Sequence, residues 1–116
     1  ADARSDEVGP ILNRLFGQGT NPTTLCIAAT RYFRNLHLAA THPSGPDVAL
    51  SRVRPPVFGY RKDRMVRQAR GWGGIRLEKA LGVLINTDLS LRSSSKVPAQ
   101  AILERAFIRI SMMRPK

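Results

Sequence analysis

The chain has 116 residues, 42% hydrophobic and 23% charged, enough for one domain with a core and too short for two. That balance excludes a disordered chain, no apolar run is long enough to span a bilayer, and one cysteine excludes an internal disulfide. Charge is the outlier: 19 Lys+Arg against 8 Asp+Glu give a net +11, which draws polyanions and acidic protein surfaces without choosing between them.

Apolar spacing is helical nearly throughout. Val8, Ile11, Leu12 and Leu15 predict a first helix from a Ser5 cap to the glycines at 17 and 19. Asn21 and Pro22 are a cap and a first-position proline. The helix they open carries Leu25, Ala29, Tyr32, Leu36 and Ala39 in one stripe, widened by Ala28, Phe33 and Ala40, and stops at His42-Pro43 and Ser44-Gly45-Pro46. A short helix is expected from Pro46 to about Val53. Pro55 and Pro56 then impose an extended stretch. A fourth helix is expected from near Tyr60 to about Arg70, with Met65, Val66, Ala69 and Trp72 facing in and Arg61, Arg64, Arg67 and Arg70 facing out. Glycines 71, 73 and 74 punctuate it. The fifth helix runs from about Ile75 to Leu91 around Leu77, Ala80, Leu81 and Leu84, and Asp88 stands four residues before Arg92, the spacing of a helical ion pair. Pro98 starts a last helix with Ile102, Leu103, Ala106, Phe107, Ile110 and Met113 inward. The prediction is an all-α, single-domain bundle of five to six helices covering residues 1–116.

No catalytic constellation is visible. The glycines of "GWGG" lack the lysine and hydroxyl residue of a phosphate loop, and no nucleophile elbow displays a serine. His37 and His42 are five apart, whereas helical metal ligands sit three or four apart, so neither a metal nor another cofactor is expected. Cys26, between Leu25 and Ile27, reads as a buried structural thiol. What remains are surfaces. The arginine face of the fourth helix fits three roles: a solvated helix face, a grip on nucleic-acid phosphates, or a rim meeting acids of a neighbouring subunit.

Read in order, these features resemble one family. "LFGQGTNPTTLCIAATRYFRNLHLA" followed by "ALSRVRPPVFGYRKDRMVRQARGW" is similar to the C-terminal region of the delta subunit of bacterial DNA polymerase III. The matching residues are Phe16, Gly19 and Pro22; Tyr32, Phe33 and Leu36; Arg54, Pro55, Pro56 and Phe58; and Arg61 to Trp72. Downstream, Asp88, Arg92 and Pro98 match that family's closing helices. The chain departs from the pattern at Gly59-Tyr60 and at the loop "RSSSKVP".

The resemblance implies a non-catalytic helical collar that joins the delta subunit to the other clamp-loader subunits for loading the sliding clamp during DNA replication. It implies a cytoplasmic bacterial setting, no membrane, and contact with the sliding clamp only through an N-terminal domain upstream of this piece, which opens "ADARSD" without a methionine. Arg54, Arg61, Arg64 and Arg67 are the expected contacts with a partner subunit, or secondarily with DNA. Pro55, Pro56 and Phe58 are expected to hold an extended turn, Trp72 to pack inward, and Asp88 to pair with Arg92. The alternative is a basic helical module that binds nucleic acid non-specifically through phosphates.

Overall fold

The computed structural model describes residues 5–53, 57, 59–93 and 97–114, and among them every regular element is helical. Helix α1 spans Ser5–Gly17, α2 Pro22–Thr41, α3 Pro46–Arg52, α4 Gly59–Arg92 and α5 Ala99–Met112.

The end of α1 and both ends of α2 have local causes. At the end of α1 the Thr20 N–H reaches back to the Leu15 carbonyl and the Gly19 N–H to that of Phe16. This paired closure puts Gly19 at φ 87°, a conformation that glycine adopts without steric cost. Asn21 is extended, and its Oδ1 accepts from the Thr23 N–H at 2.8 Å, with Pro22 occupying the first turn. Asn21→Ala is therefore expected to destabilise the fold by about 1 kcal/mol, read as a lower urea midpoint. After α2, the His42 ring Nδ1 accepts from the Ser44 N–H at 3.0 Å, so this histidine closes a turn.

Helix α4 is two helical segments that meet at a kink. Gly73 has φ 75° and ψ 159°, and the run divides there into 59–72 and 74–92. These halves are the fourth and fifth helices expected from the sequence, extended by a residue or two at the junction. Of the three glycines read as punctuation, Gly73 alone breaks the helical backbone; Gly71 and Gly74 lie within the helical halves.

Two apolar clusters hold the bundle. The larger joins Phe33, Leu36 and Ala39 of α2, Ala49 and Leu50 of α3, Met65, Ala69, Trp72, Leu77, Ala80 and Leu84 of α4, and Ala106 and Ile110 of α5. The smaller joins Val8 and Leu12 to Cys26 and Leu103, and Phe107 packs on both. The second half of α4 runs back along α2: Gly74 lies against Thr41 at one end, and Leu84 against Cys26 at the other. The buried seam of α2 differs from the expected stripe. It is rotated toward Cys26 and Phe33, leaving Ala28 exposed and Leu25 only half-buried. The cause is tertiary: Leu84 of α4 and Leu103 of α5 meet the Cys26 side of the helix, in one cluster with Val8 and Leu12 of α1.

Candidate functional site

The 59–72 half of α4 carries the face singled out from the sequence. Met65, Ala69 and Trp72 are buried, and the Trp72 ring meets Phe33 edge-on at 5.5 Å between centroids and 77° between planes. One turn before Trp72, Gln68 is also buried, and the Tyr32 hydroxyl donates to its Oε1. That pair satisfies a polar side chain inside an apolar seam, where an unmade hydrogen bond costs about 1–3 kcal/mol. The periodicity missed Gln68 because a glutamine carries no apolar signal. Phe33 faces the core and Tyr32 flanks it, as adjacent residues on a helix must.

On the opposite side Arg61, Arg64, Arg67 and Arg70 are exposed, and Tyr60 is 75% exposed at the start of the strip. The helix is tied down beside this strip by Lys62, whose Nζ lies 2.9 Å from Asp47 Oδ1 and 2.7 Å from Ser51 Oγ, both on α3. Arg64 also borders an open, mainly apolar cleft of about 420 Å³ floored by Phe33, Gln68 and Trp72. Of the double-proline motif, Arg54, Pro55, Pro56 and Phe58 lie outside the described residues. Val57 within it is buried, and its N–H donates to the Leu50 carbonyl at 3.2 Å.

Asp88 and Arg92 pair as their spacing predicts, Oδ2 to Nε at 3.1 Å. The structure adds two neighbours that spacing along one helix could not supply. Arg31 and Arg34 of α2 line a cleft of about 260 Å³ with Ile27, Ile85, Asp88 and Arg92. A further cleft, of about 380 Å³ between α4 and α5, sets Arg105 and Arg109 beside Asn86, Ser90 and Ser93.

Cys26 is fully buried, with its Sγ 3.7 Å from the Leu84 carbonyl. Burial pushes the thiol above its ordinary value of 9.0, the Asp88 charge adds to the rise, and a hydrogen bond with Thr30 opposes it. A raised folded-state pKa means that the native state keeps a proton that the unfolded chain releases. This contribution to stability is present below pH 9 and is lost as pH climbs through the folded value. Urea midpoints measured from pH 8 upward should therefore fall less steeply in Cys26→Ala than in the unaltered chain. A Cys26→Ala variant with an equally steep fall would show that the thiol contributes nothing to the alkaline loss.

Among the described residues, no group of three or more His, Cys, Asp or Glu gathers as a metal would need, and no helix is long and apolar enough to cross a membrane. No family model, curated protein or solved structure matches the chain.

Proposed function

We propose that this helical bundle is a non-catalytic assembly domain, the collar of a clamp-loader delta subunit, which joins that subunit to its neighbours in the machinery that loads the sliding clamp on DNA. The observation that carries the reading is the strip Tyr60, Arg61, Arg64 and Arg67 on the outside of a helix whose inside is packed. Tyrosine and arginine are the residues that protein interfaces concentrate, and a charged rim sets partner choice and register. The order of motifs along the sequence supports the same assignment. The contact with the sliding clamp itself belongs to an N-terminal domain of the complete subunit, and the setting is the bacterial cytoplasm.

The test is sedimentation of the domain with the C-terminal domains of the other clamp-loader subunits at two salt concentrations. A stoichiometric complex that survives higher salt is expected, because apolar burial rather than charge would hold it. Reversing Arg61, Arg64 and Arg67 to glutamate together should weaken it about tenfold, since rim ion pairs contribute about 0.5 kcal/mol each. Unchanged assembly after that reversal removes the strip from the interface.

A second reading, a basic module gripping nucleic-acid phosphates, is favoured by the α4–α5 cleft, where Arg105 and Arg109 stand beside hydroxyl and amide groups. A primed duplex titrated in parallel separates the two. Phosphate binding would collapse with salt, at a slope of about 0.9 in log K per phosphate neutralised.

A further inference from the structure

A second face of the molecule, on the far side of α2 from the core, has a more definite chemistry than the strip above. Ile27, Arg31, Arg34 and Leu38 follow one another at helical spacing on the side of α2 opposite the buried Phe33 and Leu36. On the second half of α4, Ile85, Leu89 and Arg92 do the same. The two rows adjoin, because Ile27, Arg31 and Arg34 share their cleft with Ile85 and Arg92. Ile27 is 48% exposed, Leu38 43%, Ile85 50% and Leu89 61%. Four large aliphatic chains are thus left about half exposed in two adjoining rows, and a partner that covered them would remove apolar surface from water.

We infer that this face docks an amphipathic helix of a partner protein whose apolar stripe is flanked by aspartate and glutamate. The inference names the partner's chemistry and rests on the assembly reading for the partner's class. Charge selects the occupant. Three arginines border the groove against one acid, Asp88, which Arg92 already engages. Arginine offers the planar fork that binds a carboxylate through two hydrogen bonds. A second copy of this chain would set Arg31 and Arg34 against another +11 molecule. A nucleic-acid backbone would satisfy the arginines but leave the four aliphatic chains against water. The rows run about 17 Å along α2 and about 11 Å along α4, on the order of 300 Å² at a helix spacing of about 10 Å, a share of the roughly 800 Å² that a stable interface takes from each partner.

The probe is a fluorescein-labelled, hydrocarbon-stapled helical peptide with leucine at i, i+4, i+7 and i+11 and glutamate on both sides of that row. Its twin carries lysine in place of every glutamate. Fluorescence anisotropy should show the acidic peptide binding and the basic twin binding at least about tenfold more weakly. The double variant Arg31→Glu/Arg34→Glu should lose the acidic peptide, as should Ile85→Glu. All the altered side chains are exposed, so circular dichroism should report an unchanged fold. Equal binding of the twins, binding of neither, or undiminished binding by the double variant would overturn the inference. So would a duplex DNA that displaces the peptide and binds more tightly through the same arginines.

Sedimentation of Arg31→Glu/Arg34→Glu with the partner domains keeps the two proposals separable. Assembly at full strength would put the partner elsewhere and sink this face while the collar reading stands. If the unaltered domain assembles with none of those partners yet still selects the acidic peptide, the collar reading falls and the docking face remains.

Discussion

Trp72→Ala should cost about 3–5 kcal/mol and lower the urea midpoint sharply. Trp72 is only 4% exposed and lies where α2 and α4 meet, its ring edge-on to Phe33. Alanine would open a cavity bordered by Phe33, which would lose its aromatic partner as well as apolar contact; such pairs are worth about 0.5–1.5 kcal/mol beyond area burial. Folded domains of this size hold about 5–15 kcal/mol in all, so this one truncation takes a large part of the reserve. Urea denaturation followed by circular dichroism measures it. Trp72→Phe keeps a ring in the seam and should recover a good part of the loss. If Trp72→Ala shifted the midpoint by less than an exposed-site substitution does, Trp72 would not be in the core.

Gly73→Ala should destabilise by about 1–3 kcal/mol for a different reason. At φ 75° and ψ 159° the backbone occupies a region open essentially to glycine alone. An added Cβ would meet nothing within 4 Å beyond its own stretch of backbone, so the cost comes from the main-chain conformation and not from crowding by neighbouring helices. Gly82 supplies the control. It sits within the helical 74–92 half, where a Cβ also meets nothing within 4 Å, and Gly82→Ala should stabilise by about 0.5–1 kcal/mol through lost freedom in the unfolded chain. The same chemical change is thus expected to act with opposite signs nine residues apart. D-alanine introduced at position 73 by peptide ligation should restore stability. A Gly73→Ala variant as stable as Gly82→Ala would mean that α4 runs straight through and that the 59–72 arm points elsewhere. Because that arm carries Tyr60, Arg61, Arg64 and Arg67, loosening the kink should also weaken partner binding without touching any of those side chains.

The helices were legible in the sequence because each has a strong one-dimensional signal. Asn21-Pro22 and Gly19 act through bonds to residues a few positions away, and 3.6-residue periodicity reports which side of a helix is buried without knowing what buries it. The Asp88–Arg92 pair was legible for the same reason, being four apart on one helix. Gln68 was not, since its burial depends on a hydroxyl supplied 36 residues earlier by Tyr32. The rotated seam of α2 was not either. Ala28 looks as apolar as Ala29, and only the position of the neighbouring helices decides which of them meets protein.

The same division holds for the candidate surfaces. The arginine strip at 61, 64 and 67 follows from spacing, because residues three apart on a helix share a side wherever that helix goes. The groove of Ile27, Arg31, Arg34, Ile85 and Arg92 joins residues more than fifty positions apart. It exists because Gly73 turns the chain so that the second half of α4 can run back along α2, bringing Gly74 to Thr41 and Leu84 to Cys26. Local hydrogen bonding and periodicity thus determined, from the sequence by itself, an all-helical chain with a basic, exposed helix face. Which helices lie side by side, and so which charges and apolar groups share a groove, was decided by the tertiary structure, because one backbone angle and the packing around it set the direction of everything downstream.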